Sequence, residues 1–151
     1  MPPRDPVVPT SNAGLVDAAD LVDAIRQDLL ACGLEGDLAA VPSLASYLQL
    51  LERWNSTYNL TSVRDIALMR TQHLADCLAV VPALRQIRAP NNATRLLDVG
   101  SGGGLPGVVL AILHPAWRVD CVDTVGKKVA FIRQAAGQLS LSNLKAVQTR
   151  V

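Results

Sequence analysis

The chain has 151 residues, is 50% hydrophobic and 18% charged, and carries a formal net charge of +1. That is enough apolar material for one domain with a core, and too much for a disordered polymer. No apolar run reaches the roughly eighteen residues that span a bilayer, and the start lacks a charged segment followed by an apolar one, which points to a cytoplasmic protein without a membrane anchor. The charge is unevenly divided. Residues 1–50 hold two arginines against six aspartates and one glutamate, a balance of −5, whereas residues 51–151 hold twelve basic and six acidic side chains, a balance of +6. A positive surface of that kind suits a phosphate backbone, although ordinary surface charge would look the same. Cys32, Cys77 and Cys121 lie far apart with no CxxC and no interleaved histidines. They read as apolar fillers, with no metal site and no disulfide framework.

Residues 1–14 hold four prolines and no periodicity, and are expected to form a disordered arm. A helix follows from Leu15 to Ala31, with Leu15, Val22, Ile25 and Leu29 at helical spacing and Gly33 placed to close it. Ser43 is the expected N-cap of a second helix that buries Leu44, Tyr47, Leu48 and Leu51 and ends near Tyr58. Trp54 and Tyr58, four apart, suit either a base-stacking platform or core, and core is the expectation. A third helix is expected from Asp65 to Val81, ended by Pro82. His73 and Asp76 on it are spaced to orient each other or to cap local backbone, and nothing in that spacing makes them catalytic. Residues 15–92 thus form a helical segment expected to pack on the sheet domain, and Pro90-Asn91-Asn92 marks the joint. From 93 to 151, strands Arg95 to Val99, Arg118 to Val122 and Leu144 to Thr149 alternate with helical stretches. This is a βαβαβ half of a doubly wound sheet. His114, before Pro115, is expected at a solvent-facing helix end. Val129, Ile132, Ala136 and Leu139 form the last helix's buried stripe, leaving Arg133 outward.

The most informative run is Leu96-Leu97-Asp98-Val99-Gly100-Ser101-Gly102-Gly103-Gly104-Leu105-Pro106-Gly107, which passes from an apolar strand through a glycine loop into a helix start. Glycines let the backbone turn sharply and approach a ligand, and the free amides of a helix start can receive a carboxylate or a phosphate. Asp123 lies about 20 residues on, at the carboxyl end of the next strand, where an acidic group can bond ribose hydroxyls. The spacing of Gly102, Gly104 and Gly107 also satisfies the dinucleotide pattern, so an NAD-binding oxidoreductase stays open on spacing alone. Asp98 argues the other way: a carboxylate suits a ligand ammonium and would repel a pyrophosphate. Asp98 to Gly104 resembles motif I of the S-adenosylmethionine-dependent methyltransferases.

The likeness narrows when other residues are added. Val122-Asp123, Gly126-Lys127-Lys128, Phe131-Ile132-Arg133-Gln134 and Val147-Gln148-Thr149-Arg150-Val151 resemble the GidB, or RsmG, family. So do Trp54-Asn55, Tyr58-Asn59-Leu60-Thr61-Ser62, His73 and Asp76 upstream. The resemblance implies a Rossmann-like α/β methyltransferase fold and S-adenosylmethionine as cofactor. Its implied reaction is methylation of N7 of guanine 527 in 16S ribosomal RNA, with the 30S subunit as partner. Cofactor contact is expected at Gly100, Gly102, Leu105, Asp123 and Val151, and RNA contact at Arg64, Lys127, Lys128 and Arg133. Lys127 and Lys128 stand at a helix start, where positive charge opposes the dipole; they would meet RNA phosphates, one would cover the adenosine side, or both are solvated surface lysines. No catalytic residue is implied, since guanine N7 is already a lone-pair nucleophile and the work is alignment. Family members continue past the position of Val151. The chain therefore reads as a truncated N-terminal portion of a protein that is a monomer at full length. Its first strand is expected to be an exposed edge, its acceptor site incomplete and the piece itself inactive or a cofactor-binding module only.

Overall fold

The computed structural model of the chain describes residues 17–87 and 94–151. The arm at 1–14, Leu15 and the Pro90-Asn91-Asn92 joint lie outside the described residues.

Helix α1, Ala18–Ala31, starts where the Asp17 carboxylate accepts the Ala19 amide at 3.2 Å. It buries Leu21, Ile25 and Leu29 as one stripe. Gly33, at φ +71°, closes the helix, and the Leu34 amide returns to the Leu29 carbonyl at 2.8 Å. A 3₁₀ turn, Glu35–Ala40, runs directly into α2, Val41–Tyr58, which has Pro42 in its first turn. Ser43 caps nothing, because the preceding turn already supplies helical backbone at Ala40. Asn59 ends α2 in the left-handed region at φ 50°, which asparagine tolerates better than most residues.

Asp65 caps α3, Ile66–Leu68, through bonds from the Ala67 and Leu68 amides at 2.8 and 3.1 Å. The chain then passes through a π-helical turn, Met69–Leu74, into α4, Ala75–Ile87. Pro82 does not end this helix as expected; it lies inside it. A proline costs the helix one amide and some crowding, and packing of the buried Cys77, Leu78 and Val81 holds the segment helical across it.

Strands β1, Arg95–Val99, β2, Arg118–Asp123, and β3, Leu144–Gln148, form a parallel sheet in the order β1-β2-β3. Two crossover helices, α5, Gly107–Leu113, and α6, Gly126–Gln138, connect them. Leu96, Val119 and Leu144 are in register, as are Asp98, Cys121 and Ala146, and these rows face the helices. The opposite rows, Leu97-Asp120-Lys145 and Val99-Val122-Val147, leave Leu97 60% and Val99 56% exposed.

Helix α2 is wedged between α1 and the sheet helices. Tyr47, Leu48 and Leu51 are fully buried, with the Tyr47 ring 6.2 Å from that of Phe131. Trp54 meets Phe131 edge-on at 5.6 Å and is partly buried against the core, while Tyr58, 5.1 Å from Trp54, stays 42% exposed. Arg85 joins α4 to the 3₁₀ turn through a two-pronged bond to Asp37 at 2.8 and 2.9 Å. His114, expected in solvent, is buried: Arg85 Nε donates to its Nε2 at 2.9 Å and Trp117 stacks on its ring at 3.7 Å. The turn after α5 folds the imidazole back under α4, which a His-Pro pair does not announce. Cys77 and Cys121 are buried and Cys32 half-buried, all three as free thiols.

Candidate cofactor site

The loop between β1 and α5 is held by a small set of backbone bonds. Gly100 and Ser101 amides bond the Val122 carbonyl at 2.8 and 3.2 Å, drawing the loop over the end of β2. Gly100, Gly102 and Gly104 have φ of +73°, +57° and +88°, a region that costs a side chain dearly. Gly107 answers a different need: a Cβ there would run into Cys121 Sγ and lie 2.7 Å from Asp98 Oδ2, so α5 could not pack this close to the sheet. On the loop's outer side a Cβ at Gly100 or Gly102 would meet nothing within 4 Å. The glycines thus shape both a tight underside and an open upper surface.

Two carboxylates brace this loop. Asp123 Oδ2 accepts the Gly102 amide at 2.9 Å and its Oδ1 accepts the Val125 amide at 2.9 Å. Burial pushes the Asp123 carboxyl up, but those amides and the nearby Lys128 ammonium outweigh it, and its pKa lies below the usual value. It is therefore an anion with acceptor capacity to spare, since a carboxylate offers about four lone-pair positions. Asp98 Oδ2 accepts the Gly107 amide at 2.9 Å. Burial raises the Asp98 pKa against that bond and one from Ser101. The carboxylate read from sequence as a partner for a ligand ammonium thus spends one oxygen on the start of α5. From beneath, Tyr47 Oη donates to the Gly103 carbonyl at 2.6 Å, anchoring the loop to α2.

The remaining sequence candidates scatter around this centre. Leu105 is half-buried on the side of the loop facing α4. Val151 is 90% exposed beyond β3, two residues past Thr149, whose amide bonds the Asp123 carbonyl at 3.1 Å. Lys127 is exposed and Lys128 half-buried, on the first turn of α6. Arg133 is exposed but not free, because its Nε donates to the Ala146 carbonyl at 3.0 Å. Arg64 donates to Asn59 Oδ1 at 2.6 Å, at the C-terminal end of α2.

Sequence reasoning gave no role to Asn55, which proves to be an organiser. It is 1% exposed; its Nδ2 donates to the Val63 carbonyl at 3.0 Å and its Oδ1 accepts the Thr61 amide at 2.8 Å. Thr61 Oγ1 in turn lies 2.7 Å from His73 Nε2. His73 is thus fixed by Thr61, and no bond to Asp76 forms. The available signal was an asparagine on the apolar face of a helix, where a buried amide needs partners.

Among the described residues no helix is long and apolar enough to cross a membrane, and no group of three or more His, Cys, Asp or Glu could hold a metal. The parallel sheet, the braced glycine loop and the acidic residue ending β2 define a Rossmann-like α/β fold with a nucleotide-type cofactor loop, here that of a methyltransferase by its family. The family model for rRNA small subunit methyltransferase G, GidB, matches residues 40–151, and the chain belongs to that family. It is 48% identical over 133 residues to ribosomal RNA small subunit methyltransferase G of Bordetella petrii, covering 88% of this chain and 52% of that one. The same enzyme of an Acidovorax species is 53% identical over 135 residues, with 85% and 60% covered. That of Acidovorax ebreus is 51% identical over 144 residues, with 91% and 64% covered. The chain therefore spans between half and two thirds of the length of these relatives.

Proposed function

We propose that this chain binds S-adenosylmethionine on the β1–α5 loop and serves methylation of guanine N7, at guanine 527, in 16S ribosomal RNA of the 30S subunit. The observation that carries the reading is Asp123, an anion at the end of β2 that already holds the Gly102 amide and keeps acceptor positions for ribose hydroxyls. The residues fit the cofactor. Open space over Gly100 and Gly102 admits it, and Gly100, Gly102 and Leu105 would hold its amino-acid end by backbone contact. Val151, exposed past the end of β3, would be a further contact of the cofactor. When bound, S-adenosylmethionine supplies an electrophilic methyl group on sulfur.

The chain's own part is positional. Guanine N7 needs no deprotonation, so no general base is required, and the loop's braced backbone serves to hold one partner still at near-attack distance. Lys127, Lys128, Arg64 and Arg133 would take RNA phosphates, each neutralised phosphate releasing counterion. A cofactor-binding module without catalysis is the second reading, favoured by the three-stranded sheet whose β1 has only β2 beside it among the described residues.

Calorimetric titration with S-adenosylmethionine, and separately with NAD, tests the cofactor. Binding of the former is expected, weakened about tenfold or more in Asp123→Asn, because a charged hydrogen-bond acceptor is lost. Binding of NAD alone overturns the reading. Transfer of labelled methyl to 30S subunits separates the two versions: no detectable transfer by these 151 residues supports the module, and robust turnover supports a complete acceptor site within them.

A further inference from the structure

A cavity of about 270 Å³ lies between α4 and the cofactor loop, lined by His73, Asp76, Cys77, Val80, Leu105 and Pro106. We infer that it is the pocket for the acceptor base, with the Asp76 carboxylate gripping the Watson–Crick edge of a guanine. The inference rests on the methyl-transfer reading above and adds to it the subsite and the residue that selects the base.

Its position is the first argument. One wall is Leu105-Pro106, the segment that runs from the glycines into α5, so a base seated there is immediately beside the loop assigned to the cofactor. Its lining is the second. Leu105, Pro106 and Val80 offer apolar surface for the faces of a flat ring, and Val80 is 44% exposed with no core role on that side. The polar groups are two, His73 and Asp76, and a pocket with mostly apolar walls and few placed polar atoms is the usual form of a small-ligand site. The space is open to solvent on one side and has room for one base.

The third argument is chemical. Asp76 is exposed and makes no hydrogen bond or ion pair among the described residues. A carboxylate is acceptor-only, and guanine alone among the four bases presents two adjacent donors, N1–H and the N2 amino group. Adenine offers a donor beside an acceptor there, and its N1 would face a carboxylate oxygen. N7 is on the opposite side of the purine, so a base held by Asp76 keeps its reacting atom free and turned away from the carboxylate. His73 is built to stay in place: Asn55 fixes Thr61, and Thr61 Oγ1 fixes Nε2 at 2.7 Å. Asn55 and Thr61 are then part of the frame of this pocket.

The test is a titration of the folded 151-residue chain with GMP, IMP and AMP, followed by NMR shifts of the His73 ring and the Leu105 amide, with and without S-adenosylhomocysteine. GMP is expected to bind about tenfold or more tighter than IMP, which lacks the N2 amino group, and tighter still than AMP. Asp76→Asn is expected to abolish the preference for GMP over IMP while S-adenosylhomocysteine affinity stays unchanged. Asp76→Glu, keeping the carboxylate, is expected to restore part of it. Equal binding of the three nucleotides, or a preference that survives Asp76→Asn, overturns the inference while leaving the cofactor reading intact. Failure of S-adenosylhomocysteine to bind counts against the cofactor reading, and the nucleotide series still decides the pocket.

Discussion

His114 is pulled two ways by its surroundings. Burial disfavours its charged form, and the Arg85 guanidinium beside Nε2 does the same; the Leu110 carbonyl on Nδ1 and the Asp37 carboxylate favour it. Burial wins, and the pKa lies below the ordinary histidine value. The bonds agree, since Nε2 accepts from Arg85 and Nδ1 is left to donate to Leu110 at 2.9 Å. In the unfolded chain His114 protonates near pH 6.5, whereas the folded protein resists the proton until lower pH. Between those two values the unfolded state binds more protons, so stability falls as pH falls through the window. Urea unfolding from pH 7 to pH 5.5 should show this loss, with a slope from one group no steeper than about 1.4 kcal/mol per pH unit. His114→Gln should flatten the slope in that range. An unchanged slope would mean that another group sets it.

At the scale of elements, Asn55 ties α2 to the loop before α3. Replacing it with alanine leaves the Thr61 amide and the Val63 carbonyl without their partner in a part-buried setting, a cost of about 2 kcal/mol. Chemical denaturation should register that loss, and the His73 ring resonances should broaden or move as Thr61 is released. If stability falls and His73 is unmoved, the frame does not govern it. The same region marks what the sequence withheld. Strand ends at Arg95, Val99, Arg118 and Leu144 were legible because short stretches with Leu, Val or Cys at strand spacing, set off by turn residues such as Gly100, Pro115 and Asn143, leave little choice of period. The glycine loop and Asp123 were legible because positive φ and a strand-end carboxylate impose residue types. The Asp76 cavity was not, because its two walls, at 73–80 and 105–106, are brought together by packing alone. Pro82 misled for a related reason: a local rule about helix ends yielded to three buried side chains around it. Asp98 was read as a ligand group, and the free amide of Gly107 claimed one of its oxygens first.

Among the described residues, no strand lies beside β1 on the side away from β2. The Thr94 carbonyl and the Gly100 amide both reach β2, at 2.9 and 2.8 Å, so even-numbered residues of β1 point their backbone groups inward. By alternation, the amides and carbonyls of Arg95, Leu97 and Val99 point to the free edge. The same three residues carry exposed side chains on the face away from the helices. An antiparallel match of β1 with β1 of a second copy, centred on Leu97, would oppose Arg95 to Val99 and pair every outward group. Such an edge is what other proteins cover or charge. Self-association at tens of micromolar is therefore expected in sedimentation velocity. Leu97→Lys should suppress it at little cost to folding, because the side chain is 60% exposed and a lysine on an edge strand opposes pairing. A wild-type chain that stays monomeric across that range overturns the self-pairing. Hydrogen exchange then separates a covered edge, with the Leu97 and Val99 amides protected, from an open one, which leaves them fast.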